Sequence, residues 1–292
     1  MFEQLAVNTI VSAASLALMA VGFGLIFHIA RFFHFAHGAV FLLSPYCAFL
    51  FKDRLGLPLL LSLGFGVAFS MVVGCSIQLF IYQPLRRRGA SAVILLVASL
   101  GIYIVLQNVV SMVFGDDVKT LQTGLTGESL SVFGALITSI QLATVIISLV
   151  LLVVLGVTLK ATKIGLVLRA VSNDPELAGV LGTHSDRVTL VAFAVGSGLA
   201  GLAGVLVALD VHMTPTMGMN MLMLAIVAVI VGGSGSLPGV ALGALLLAAA
   251  QQFGIWKLPS EWQDAIAFFL LVIFLILRPQ GIFGMPLKKV TV

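Results

Sequence analysis

Charge is scarce in this chain. Asp, Glu, Lys and Arg make up 9% of its 292 residues while 60% are hydrophobic, against roughly 25% charged in an ordinary soluble domain. That balance excludes a soluble globular protein and implies an integral membrane protein. Alternating ten-residue strand patterns are missing too, which excludes a membrane β-barrel, whereas apolar runs near the 20 or so residues that cross a bilayer as helix recur throughout. The two cysteines, Cys47 and Cys75, stand far apart in apolar segments with no C-x-x-C pair, so they read as small buried hydrophobes. No polar stretch is long enough to bury a core of its own, and residues 1–292 read as a single transmembrane domain. No G-x-x-x-x-G-K-[ST] loop is present and no Ser/His/Asp set falls in reach, so the chain reads as a non-enzyme that takes its energy from elsewhere. The opening stretch, MFEQLAVNTIVSAASLALMAVGFGLIFHI, has no basic start and runs too long for a signal peptide. It is expected to be a retained first membrane helix.

The fold class that follows is all-α and polytopic, with about 8 to 9 hydrophobic segments, at residues 5–29, 35–51, 58–82, 92–114, 136–159, 188–209, 219–232, 237–255 and 262–277. One or two are expected to be broken or re-entrant. The 219–232 run is short and meets GGSGSLPG, Gly232 to Gly239; the pair either crosses twice around a tight turn or dips in and returns. The second irregular place is HIARFFHFAHGAV, His28 to Val40. Interrupted membrane helices are tolerated only against protein or a water-filled path, so His34, His37, Gly38, Gly232, Gly233 and Gly235 are candidates for pathway or gating. If the segments alternate, Arg86 to Arg88, Lys160 to Arg187, and Arg278 with Lys288 and Lys289 share one side, while the opposite loops are mixed or acidic. The positive-inside rule then places the N-terminus outside and the C-terminus in the cytoplasm, and accounts for the net charge of +4 without nucleic acid.

Other polar residues are read more sparingly. His34 and His37 stand three apart, yet no third Cys, Asp or Glu ligand lies near them, so no metal is assigned; interfacial or cavity-lining histidines beside Arg31 are the alternative. Asp210 ends the sixth segment, where a carboxylate is suited to a substrate amino group but is also ordinary at a helix end. The glycines of GSGLAGLAG and GVALGA signal close helix packing.

The longest polar interruption, Lys160 to Arg187, carries a short helix marked at both ends. Asp174 suits the N-cap, Pro175 the first helical position and Gly182 the left-handed stop. Leu177, Val180 and Leu181 then share one face, forming an apolar knob outside the membrane segments. Such a knob suits either the bilayer surface or a protein partner.

In order along the chain, FxHFAHGA (Phe32 to Ala39), QPLRRRGASAVILLVASLGIYIVLQN, GLVLRAVSNDPELAGVLG, AFAVGSGLAGLAGVL, AIVAVIVGGSGSLPGVALGA and LRPQGIFG resemble the permease subunits of bacterial branched-chain amino acid ABC importers. The resemblance runs through most of the chain. It implies a membrane permease that moves branched-chain or other hydrophobic amino acids inward, paired with a second, paralogous permease, two cytoplasmic ABC ATPases and an extracytoplasmic solute-binding protein. ATP and Mg would then belong to the ATPases, with no cofactor on this chain, and the location would be the bacterial inner membrane. It also implies that the cytoplasmic loop docks on an ATPase, through Arg169, Asp174, Pro175, Glu176, Leu177, Ala178, Val180, Leu181 and Gly182. The same motifs occur in urea and short-amide importers, which stay open as substrates. His34 departs from the family, which often has Asn before FAHG. A self-sufficient secondary transporter or a small-solute channel is the rival class, opposed by acidic residues that nearly all sit at segment ends.

Overall fold

The computed structural model describes residues 2–121, 129–132, 134–233 and 235–284. Among them are nine helices of fifteen or more residues: α1 Phe2–Ala30, α2 Ala36–Leu55, α3 Leu59–Ile77, α5 Ala92–Phe114, α6 Ser139–Ala161, α9 Ser185–Asp210, α10 Met217–Gly232, α11 Leu237–Gly254 and α12 Gln263–Leu277. They coincide with the nine apolar segments to within a few residues. Three short helices lie between them, α4 Gln83–Arg87, α7 Lys163–Asn173 and α8 Pro175–Val180. Seven spans have the length and hydropathy to cross a membrane, and Met217–Gly232 is a shorter apolar helix. One small ribbon departs from the all-helical expectation: β1 Ser129–Val132 pairs antiparallel with β2 Ala135–Thr138. The Gln4 side chain clamps it, donating to Leu136 O at 3.0 Å and accepting from Leu136 N at 2.9 Å.

Local chemistry sets most boundaries. A reciprocal capping box of Thr138 and Gln141 opens α6, Ser91 caps α5, and Ser236 with Pro238 opens α11. Gly56 closes α2 in the left-handed conformation, at φ 62°. Between α3 and α4 the helix widens into a π-helical turn at Gln78–Tyr82, which rotates Tyr82 into the core, where it is fully buried.

α1 is the axis of the bundle, with 78% of its most apolar window buried, and α9 follows at 61%; α6 and α12, at 11% and 6%, are peripheral. Close backbone approach at glycine explains how the central helices fit. Gly196 of α9 meets Gly22 of α1, Gly201 meets Ser70 of α3, and Gly204 sits on the carbonyl of Phe41 in α2. That carbonyl has no intrahelical donor because Pro45 stands four residues on. The glycine-rich stretch of α9 therefore packs, as its spacing suggests.

The loops gather at two ends of opposite charge. At one end Arg31 bonds to Ser172 O, Arg87 pairs with Asp186 at 2.9 Å, and Ile282 N donates to Val231 O. At the other, Lys52 reaches Leu121 O, and Lys119 bridges Met213. Among the described residues the first end carries nine Lys and Arg against three Asp and Glu, and the second four against seven. Lys288, Lys289 and Glu128 lie outside the described residues.

Candidate functional site

At the basic end, α7 and α8 form an elbow. The Thr162 hydroxyl accepts from Gly165 N to open α7, and Asp174 both ends α7 and caps α8. Its Oδ1 accepts from Glu176 N at 3.0 Å and Leu177 N at 2.9 Å. Pro175 takes the first helical position. At the far end Thr183 N donates to Ala178 O and Gly182 N to Gly179 O, with Gly182 at φ 85°. This is the paired-bond stop that a left-handed glycine permits. α8 ends at Val180, with Leu181 as its C-cap, one residue earlier than the spacing indicates.

The faces of α8 are divided. Ala178 is 3% exposed and belongs to a buried cluster with Leu168, Val171, Val188 and Ala192, and with Leu25 and Ile29 of α1. Leu177, Val180 and Leu181 are 57%, 84% and 77% exposed. Glu176 is exposed beside them. Arg169 belongs to a different contact: it donates back to Leu159 O at the end of α6 and so braces α7 rather than the knob.

The elbow is wired to the break after α1. Arg31 has φ 58°, rare for a residue other than glycine, and its guanidinium donates to Ser172 O in the last turn of α7. From there residues 31–35 run non-helically back into the protein. α2 starts deep, because His37 lies against Gly22, eight residues from the end of α1 and so roughly 12 Å inside it. The freed backbone is satisfied from α5. Ser99 Oγ accepts from Phe35 N at 3.1 Å, and its proton is shared between Phe33 O at 3.2 Å and Leu96 O at 2.7 Å. His34 Nδ1 and Tyr82 Oη are 3.0 Å apart, with Phe193 against the His34 ring.

This corrects the placement of the histidines. Both are fully buried rather than interfacial; only His37 is helical, yet His37 N donates to His34 O at 3.1 Å and the two rings stand 5.8 Å apart, so the pair is adjacent, as its spacing indicates. Gly38 is a packing position: a Cβ there would stand 2.7 Å from Gly218 O. α10 thus also starts deep, level with the start of α2, and the two interrupted segments meet at Gly38 and Gly218. Gly232 approaches Gly239, and Gly233, at φ 98°, approaches Gly281 and Gly284. Phe283 N donates to Gly232 O at 3.1 Å, seating the LRPQGIFG segment on this turn. Gly235 is exposed near His28; Ser234 lies outside the described residues.

Asp210, at the end of α9, faces a cavity of about 290 Å³ that also takes in Ser12, Gln251, Gln252 and Asp264. No motif or spacing singles out the last three, nor Ser99, Tyr82 and Gly218. Adjacent glutamines at the end of an apolar segment were the available signal.

A family model described as branched-chain amino acid transport system / permease component matches residues 5–275. The high-affinity branched-chain amino acid transport system permease protein BraD of Pseudomonas aeruginosa is 30% identical over 298 residues, covering 98% of this chain and 96% of its own. LivH of Escherichia coli K12, described in the same words, matches with the same identity and coverage. Among solved structures, PsaBC from Streptococcus pneumoniae in complex with Fab is similar at TM-score 0.50 and 16% identity, over 94% of this chain and 92% of that one. That likeness concerns the fold alone.

Proposed function

The chain belongs to the family of branched-chain amino acid transport permease components, and on that premise we propose that it is the membrane-spanning permease subunit of an ABC importer for branched-chain or other hydrophobic amino acids. The observation that carries this reading is the knob. Leu177, Val180 and Leu181 stand exposed beyond the spans, at the basic end, on a helix that packs on α7 and α9 and whose Ala178 joins a buried cluster with residues of α1. An apolar face presented on a braced lever suits a groove on a cytoplasmic ATPase. The charge division between the two ends supports a basic cytoplasmic end, hence an N-terminus outside and a C-terminus inside, in the bacterial inner membrane.

In this reading residues 1–292 act as one permease domain beside a second, paralogous permease. Two ATPases bind ATP and Mg, and a solute-binding protein delivers the substrate. ATP-driven closure moves the elbow as a rigid unit, and the Arg31 to Ser172 bond passes that movement to the interrupted segment in front of α2. The interrupted starts of α2 and α10, joined at Gly38 and Gly218, are then the elements that repack between outward-facing and inward-facing states.

The test is a mild-detergent pull-down of the tagged chain from its native membrane, with mass spectrometry of the co-purifying proteins. Recovery of ATPase subunits and a second permease is expected. A homo-oligomer free of ATPases would overturn the reading in favour of a secondary transporter or channel.

A further inference from the structure

The wall of the cavity beside Asp210 is mixed, but its composition shifts along its depth. Toward the middle of the bundle it is mainly apolar, with Leu16, Leu206, Met221, Leu224 and Ala248 beside Ser15; toward the less basic end Ser12, Thr144, Asp210, Gln251, Gln252 and Asp264 join the apolar Val11 and Val211. Polar side chains from α1, α6, α9, α11 and α12 thus converge on one end of the cavity, where a polar ligand or water can meet them. Much of the donor capacity is already engaged. Gln252 Nε2 donates to Ser12 Oγ at 3.3 Å, Gln251 Nε2 to Gln263 O at 3.2 Å, and Gln141 hydrogen-bonds Asp210. Among the described residues the wall holds two carboxylates and no Lys, Arg or His. It therefore offers mainly acceptors, with formal negative charge, above an apolar floor.

We propose that this cavity is a binding station for a primary ammonium group on a short aliphatic chain, with Asp210 and Asp264 taking the ammonium and the Leu16, Met221 and Leu224 floor taking the hydrocarbon. It rests on the importer reading only for its place on the substrate's route, where it receives an amino acid by its amino end from the outer side. The recognition chemistry stands separately: an amine lacking the carboxylate should fit, and an acid lacking the amine should not.

The experiment is equilibrium binding of radiolabelled leucine to the complex purified around the tagged chain, in nanodiscs without binding protein, competed by isopentylamine and by 4-methylpentanoate. Isopentylamine is expected to displace leucine and 4-methylpentanoate to fail. Combining Asp210→Asn with Asp264→Asn should weaken leucine and amine binding at least about tenfold, with complex composition unchanged. Should Asp210→Asn fail to insert, Asp264→Asn alone, at the exposed rim, is expected to weaken amine binding several-fold. Equal competition by the acid, unchanged amine binding in the variants, or no leucine binding by the wild type each overturns the proposal. Loss of ATPase co-purification from the wild type would instead strike the importer reading, leaving the amine result to decide the cavity.

Discussion

Replacing both Leu177 and Leu181 by Glu puts the coupling assignment at greatest risk. The two leucines are 57% and 77% exposed, so their substitution leaves the permease core untouched, and surface changes of this kind stay within about 0.5 kcal/mol of folding stability. Fully burying a leucine contributes about 1.5–3 kcal/mol. Scaled by the area each still exposes, burial of the pair in a partner groove contributes about 2 to 4 kcal/mol. Losing it weakens ATPase association by roughly 30- to 700-fold, before any cost of placing carboxylates in an apolar groove. The assay is titration of purified ATPase onto nanodisc-embedded permease, wild type against variant, with melting temperature as the control for folding. Affinity within threefold of wild type would refute the assignment of this face, and a collapsed melting temperature would refute the claim that the knob is outside the core.

Two further outcomes follow from packing and hydrogen bonding. Gly218→Ala forces a methyl against the Gly38 carbonyl and should destabilise by about 1–3 kcal/mol, read as a lower melting temperature in detergent; Gly64→Ala, where nothing stands within 4 Å, should leave it unchanged. Ser99→Ala strips Phe35 N–H of its partner and should cost about 1–3 kcal/mol, whereas Ser76→Ala, which loses only a bond to its own helix at Val72 O, should be nearly silent. Equal shifts for Ser99 and Ser76 would show that the break after α1 does not depend on α5.

The physics that acts along the chain made much of this protein legible in its sequence. Apolar runs report helices because a membrane helix satisfies its own backbone, and all nine long helices fall on such runs. The α8 elbow was readable because capping is local: Asp174, Pro175 and Gly182 act within a few residues of themselves. The glycine stretch of α9 indicated close approach, and the helix does approach α1, α2 and α3 through it.

What tertiary structure alone decided is which distant groups meet. No spacing rule places Ser99 on Phe33 and Phe35, Arg31 on Ser172, or Gly218 on Gly38, since each contact joins helices whose separation in sequence says nothing about their separation in space. The histidines show the same limit: their i, i+3 spacing does bring the rings to 5.8 Å, but their full burial depended on distant Tyr82 and Phe193 closing around His34. Asp210 was visible as a helix-end carboxylate, but whether it met water or a shaped cavity depended on Gln251, Gln252 and Asp264 arriving from two other helices. Local energetics write the helices and their ends into the sequence; the partners of a buried polar group are chosen by packing.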